Sequence, residues 1–194
     1  MPRISARDYE QLPLRVHDFL AGVPLHDAWA VDLPRTRSGV TLAELSRSAE
    51  GRLLALSPAA RALLSLRLFV GRRLGWDREP ATWESFATRL TAADRSRSHT
   101  PAGTREGLFR VVYRFESEQL LEVINRTVHA AALSALVETA DAYRFIFGVY
   151  VRKVSGLTPV YMALIDPFRR SIVYPSLLRS VRARWDAAQR IAAR

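Results

Sequence analysis

"EQLLEVINRTVHAAALSALVE", residues Glu118 to Glu138, decides the fold, because its apolar positions satisfy two incompatible periods. Leu120, Ile124, Val128 and Ala131 recur at helical spacing, whereas His129, Ala131, Leu133, Ala135 and Val137 alternate as one face of a strand. The neighbouring sequence decides for strands. Upstream, "GLFRVVYRFE" (107–116) sets Phe109, Val111, Tyr113 and Phe115 on one side against Arg110, Val112, Arg114 and Glu116 on the other. Downstream, "DAYRFIFGVYVRK" (141–153) alternates Tyr143, Phe145, Phe147, Val149 and Val151 with Arg144, Ile146, Gly148, Tyr150 and Arg152. The segment between is rich in residues that suit a pleated surface, and "ETADA" (138–142) suits a hairpin connection. The result is a run of antiparallel strands. Three consecutive alanines, Ala130 to Ala132, give it little side-chain volume, which leaves room over the sheet for something else.

Working outward, "HDAWAVDLP" (26–34) reads as a first strand, with Trp29, Val31 and Leu33 opposite Ala28, Ala30 and Asp32. "TLAE" at Thr41 has capping-box spacing and predicts a helix to about Glu50. Ser57 and Pro58 then read as the cap and first position of a second helix, with Ala59, Leu63, Leu66, Val70 and Leu74 as its core stripe and Gly75 as its stop. Residues 92–107, inside "TAADRSRSHTPAGTREG" (91–107), have almost nothing to bury and read as a mobile loop that could serve as a lid. The chain closes with an apolar, arginine-rich helix from Thr158 as N-cap, whose stripe is Tyr161, Leu164, Ile165, Phe168 and Ile172. Pro167 and Pro175 should bend it, since each lacks an amide and crowds the carbonyl four residues earlier.

Strand, two helices, a run of antiparallel strands and a long terminal helix make an α+β domain of helix-grip type over residues 1–194, a curved sheet wrapped around the last helix. Such an arrangement commonly encloses an apolar cavity suited to a small molecule.

Composition bounds the function. With 194 residues and 48% apolar content, one domain with a sizeable core is expected. No run approaches the roughly 18 apolar residues of a membrane span, and "MPRISARDYEQL" lacks a signal peptide's apolar centre, so a cytoplasmic protein is expected. The absence of cysteine excludes disulfides and thiolate chemistry, and four scattered histidines do not suggest a metal site. No cofactor is implied. A net charge of +10 invites a nucleic-acid or anionic-surface reading. Against it, all 29 basic residues except Lys153 are arginine, a skew that coding bias produces unaided, and they are spread along the chain.

"HDAWAVDLP", "LSPAARALLSLRLFVGRRLGW" (56–76), "NRTVHAAALSALVE" (125–138) and above all "YMALIDPFRR" (161–170) resemble a bacterial family of unknown function. Its members occur alone or behind a short-chain-dehydrogenase-like NAD(P)-binding domain. That family is similar to the START and polyketide-cyclase (SRPBCC) superfamily, which also implies a helix-grip fold. The resemblance brings no catalytic residues. This chain has no Gly-rich dinucleotide fingerprint, so any NAD(P)-dependent enzyme would be a separate partner.

Candidate chemistry then rests on single residues. His129 is a candidate general acid or base, with Glu122 in the polar cluster just before it. Tyr113, Phe115, Tyr143, Phe147, Tyr161 and Phe168 are candidates to line a ligand cavity, and Tyr150 could help orient a carbonyl. The expected function is binding of a small apolar metabolite; a cyclase, dehydratase or isomerase acting on a hydrophobic carbonyl compound is the alternative. The second needs an acid or base facing the cavity, and the first does not.

Overall fold

The computed structural model describes residues 3–35, 38–47, 58–76 and 83–192. Two short helices, α1 (Ala6–Glu10) and α2 (Val16–Phe19), precede β1 (Leu25–Pro34). Helices α3 (Leu42–Arg47) and α4 (Pro58–Arg73) follow, then a 3-10 turn (Phe86–Arg89) and α5 (Ala92–Arg97). Strands β2 (Arg105–Glu106), β3 (Phe109–Arg114), β4 (Glu118–Ile124), β5 (His129–Glu138) and β6 (Ala142–Arg152) come next. Helix α6 (Leu157–Phe168), a π-helical turn (Arg169–Val173) and α7 (Tyr174–Ala192) close the chain.

The stretch 118–138 is two strands, as its neighbours required. All six strands form one antiparallel sheet in the order β1-β6-β5-β4-β3-β2, so the first strand is hydrogen-bonded to the last. Side chains alternate between two faces. On the first, Ala28, Ala30, Leu120, Ala131, Leu133, Ala135, Ile146 and Tyr150 pack against Tyr9, Val16, Phe19 and Phe86, which come from the N-terminal arm and the 83–97 strap. On the second, Trp29, Val31, Leu33, Phe145, Phe147 and Val149 pack against Leu177, Leu178, Val181 and Trp185 of α7. The long terminal helix thus lies on the β1–β6 side of the sheet. Its far end is pinned where the Trp185 indole donates to the Pro34 carbonyl at 2.9 Å.

Gly148 allows one close approach on the arm face: a Cβ there would lie 2.9 Å from the Tyr9 hydroxyl, which hydrogen-bonds Tyr150. The position needs glycine for space rather than for its dihedral angles.

Four local expectations change. In α4, Leu66 and Leu74 of the expected stripe lie more than half exposed, as does Phe69, while Leu63 and Val70 are half-buried; Ser57 falls outside the described residues. The last helix starts from Gly156, and Thr158 instead turns its buried hydroxyl back to accept from the amides of Val154 and Ser155. The two prolines flank one π turn. Pro167 lacks the amide that a regular ladder uses, the turn widens over Arg169–Val173, and Pro175 follows as the second residue of α7. Residues 92–107 are more than a loop: α5 opens with a capping box between Thr91 and Asp94, and β2 pairs with β3.

Candidate functional site

His129 and Glu122 do come together. His129 Nε2 lies 3.1 Å from Glu122 Oε2, and Glu122 also accepts from the Ser85 hydroxyl and from the Phe86 amide at 2.8 Å. Both side chains are buried, and the Phe86 ring stacks on the imidazole at 3.9 Å. Burial works to raise the Glu122 carboxyl, but the hydrogen bonds from His129, Ser85 and Phe86 outweigh it and hold the group below its ordinary range. This cluster sits on the arm face, directed away from α6 and α7. Its visible role is to fasten the strap to β4.

Tyr113 and Phe115 lie on the same arm face, stacked with ring centres 4.5 Å apart. The Tyr113 hydroxyl bonds Glu118, whose carboxylate also accepts from the amides of Arg15 and Val16 at 2.8 and 3.0 Å. Burial raises both the Glu118 carboxyl and the Tyr113 hydroxyl above their usual values. Tyr150, paired with Tyr9 at 2.9 Å, is likewise pushed by burial up to about 12. These hydroxyls are consumed internally.

The other aromatic candidates are on the helix face, where they are divided again. Tyr143 packs on Trp185 and accepts from the Val40 amide; Phe147 packs on Tyr174. Both belong to the solid contact beneath α7. Phe168 is about half exposed on the outside of α6. Tyr161, by contrast, packs with Met162 and Val128 beside Trp76, Ala130, Val151 and Ile165.

Ala130 and Ala132 project from the centre of the sheet toward the helices, as do Val123 on β4 and Val151 on β6, and all four are only partly buried. Same-face residues nearer α7, such as Phe145 and Val149, are buried. Ala130 packs beside Tyr161 and Met162 and Ala132 against the contact beneath α7, yet both alanines keep part of their surface exposed. One polar fixture faces this region: the Tyr161 hydroxyl accepts from Arg67 Nε at 2.9 Å.

A second, polar locus forms where β1 carries a bulge. Leu25 opposes Tyr150 and Asp27 opposes Val149, so His26 is the extra residue, and its side chain and that of Asp27 both reach Asp166 of α6 or the residues around it. His26 Nε2 lies 2.8 Å from Asp166 Oδ2 and 3.6 Å from Asp27 Oδ2. Arg169 and Arg170, from the π turn, bind the same carboxylates. Adjoining them is a pocket of about 330 Å³ lined by residues 3–6 and 25–28. The residues of this locus escaped sequence reasoning because His26 and Asp166 stand 140 positions apart. The only signal was that "HDAW" and "DPFRR" each set acid against base within a few residues.

Among the described residues, no helix is long and apolar enough to cross a membrane. The model of the family described as "Protein of unknown function (DUF2867)" matches residues 19–176. No curated protein and no solved structure matches the chain.

Proposed function

The chain belongs to this family of proteins of unknown function, and we propose that it is a helix-grip domain of START type that binds a small apolar metabolite between the sheet and α6. The observation that carries the reading is the partial exposure of Ala130 and Ala132 at mid-sheet, on the face the terminal helices cover. The order of elements supports it: one strand, two helices, the remaining antiparallel strands and a long helix, with the first strand paired to the last.

The ligand's chemistry follows from the walls. Val123, Ala130, Ala132, Val151, Met162 and Ile165 offer only apolar surface, so affinity would come from area removed from water, about 0.8 kcal/mol per buried methylene. The Tyr161 hydroxyl, already accepting from Arg67, keeps its proton to donate. It suits a single carbonyl or hydroxyl at one end of the molecule. A substrate or product of a separate NAD(P)-dependent enzyme is the class to try first.

Binding is favoured over cyclase, dehydratase or isomerase chemistry because His129 and Glu122 belong to the opposite face of the sheet and are sealed under Phe86. A nucleic-acid role gains little, since Arg15, Arg35, Arg114, Arg144 and Arg169 are held by carboxylates of the chain itself.

The test uses an apolar fluorescent probe, 8-anilinonaphthalene-1-sulfonate, titrated into the folded protein. One site per chain is expected, weakened at least about tenfold by Ala132→Trp, which fills the proposed site. Equal binding by the two proteins, or none to either, would sink the reading. Native mass spectrometry of the freshly purified chain would identify a retained metabolite directly.

A further inference from the structure

We propose that His26, Asp27 and Asp166 form a binding site for a first-row divalent cation of the zinc type. The three side chains place one donor atom each within 4.8 Å of the others. In a tetrahedral site with bonds of about 2.0–2.2 Å, neighbouring ligand atoms stand roughly 3.4 Å apart. Here Nε2 of His26 lies 2.8 Å from Oδ2 of Asp166 and 3.6 Å from Oδ2 of Asp27, which brackets that spacing.

Asp27 supplies an independent reason. Its side chain is completely buried, yet neither carboxylate oxygen accepts a hydrogen bond. Ionised carboxylates are not buried without a strong partner, because the desolvation cost is several kcal/mol. Arg3 and Arg170 approach Oδ1 at 3.2 and 3.4 Å but outside hydrogen-bond geometry, and Oδ2 lies 3.6 Å from the imidazole nitrogen. A cation bonded to Oδ2 satisfies the group that the fold leaves unbonded.

The arginines fit this arrangement as supports. Asp27 turns Oδ1 to Arg3 and Arg170 and Oδ2 to His26, while Asp166 meets His26 Nε2 through Oδ1 and Oδ2 at 3.0 and 2.8 Å, with Arg169 Nη1 2.9 Å from Oδ1 and Arg170 Nη2 3.5 Å from Oδ2. Metal-binding carboxylates are commonly fixed in this way through their second oxygen. Three arginines against two carboxylates leave surplus positive charge, which opposes a dication, so the remaining coordination position must take an anionic or hydroxide ligand. His26 and Asp166 are partly exposed, at 24% and 16%, which gives an ion a way in. Coordination through Nε2 requires the His26 proton to sit on Nδ1, so an ion would replace the hydrogen bond between Nε2 and Asp166.

The donor set selects the ion. One imidazole and two carboxylates suit zinc, cobalt or manganese, whereas magnesium and calcium prefer oxygen throughout. Two irregularities build the site, the bulge that adds His26 to β1 and the π turn that follows Asp166 by three residues. Both devices recur where a fold must re-aim side chains. The ion would therefore tie the edge strand to the break in the terminal helix.

Co2+ is the probe, because its visible absorption reports coordination geometry. The full chain, stripped with chelator, is titrated with Co2+ and then Zn2+, alongside His26→Gln and Asp166→Asn, with circular dichroism to verify folding. The expected result is one Co2+ per chain, displaced by one equivalent of Zn2+ but not by Mg2+, with affinity lower by about 100-fold or more in both variants. Asp166→Asn keeps its volume and partial exposure and decides the matter should His26→Gln not fold. Absence of micromolar Co2+ binding in the wild type would overturn the site. So would unchanged affinity in the variants, which would put the ion on another histidine.

Discussion

On the arm face of the sheet, Glu118 and Glu122 reach from β4 to seize backbone amides of α2 and of the strap, whereas on the helix face α7 meets β1 and β6 through aliphatic and aromatic side chains. The first arrangement is directional. A buried carboxylate accepting several hydrogen bonds has one acceptable position, and losing a partner leaves an unsatisfied group at about 1–3 kcal/mol each. The second is non-directional, and apolar packing tolerates volume-conserving changes at under about 1.5 kcal/mol. One sheet thus carries a face that is locked and a face that can adapt, and the partly exposed Ala130 and Ala132 lie on the adaptable one.

The contrast is open to attack by substitution. Glu118→Ala should have the largest effect, about 3–5 kcal/mol, because it strands the amides of Arg15 and Val16 and the Tyr113 hydroxyl together. Urea unfolding checks this, and a loss under about 1 kcal/mol would show that the arm face is not locked through its carboxylates. Leu178→Ala, at a fully buried contact of α7, should cost about 2–4 kcal/mol by leaving a cavity.

A sharper comparison uses two adjacent residues on opposite faces. Ala131→Leu pushes into the fully buried arm face and should destabilise by about 1–3 kcal/mol. Ala132→Leu grows from a partly exposed position and should change stability by less than about 1 kcal/mol. Equal costs would mean that the helix face is as tightly filled as the other.

Acid should loosen the strap selectively. The Arg15 hydrogen bonds, with those from Thr91, overcome burial and lower the Asp94 carboxyl to about 2, and Glu122 is also held low. Groups with depressed values stabilise the fold above their unfolded range near pH 4, and that contribution disappears as pH falls through the folded values. Glu118, raised by burial, works in the opposite direction and does not join the loss. Amide exchange measured at pH 7 and pH 3, corrected for intrinsic rates, should therefore show protection of Phe86 and residues 92–97 falling before that of β5 and β6. The same measurement at pH 7 decides the mobility expected of 92–107; full protection there would remove the lid idea. Simultaneous loss in strap and sheet at low pH would contradict the carboxylate anchoring.

Strands were legible where an alternation ran unbroken, as in 142–152, because a period of two follows from local chain geometry; in 109–114 the strand was legible but its faces were not, since a bulge between Val111 and Tyr113 puts Val112 on the arm face with Tyr113. The ambiguous stretch 118–138 yielded to its neighbours. Which face met which helix was not legible. Alternation assigns residues to two sides but carries no label for the partner: of the three alanines, Ala131 faces the arm with His129, and Ala130 and Ala132 face the helices. The stripe of α4 misled for a related reason: helical spacing of Leu66 and Leu74 guarantees a common side but not a covering element. In 92–107, Asp94 and Thr91 formed a cap with spacing that could have been read, yet the absence of apolar residues masked it.

The sequence by itself determined the α+β class, the order of strand, helices, strands and terminal helix, and the antiparallel run, all of which depend on residues close in the chain. Tertiary structure alone decided the pairing of β1 with β6, the division of the aromatic candidates between faces, and the meeting of His26 and Asp27 with Asp166. Each of those depends on a bulge, a register or a packing choice that brings distant residues within a few ångströms, and nothing in local periodicity encodes such a distance.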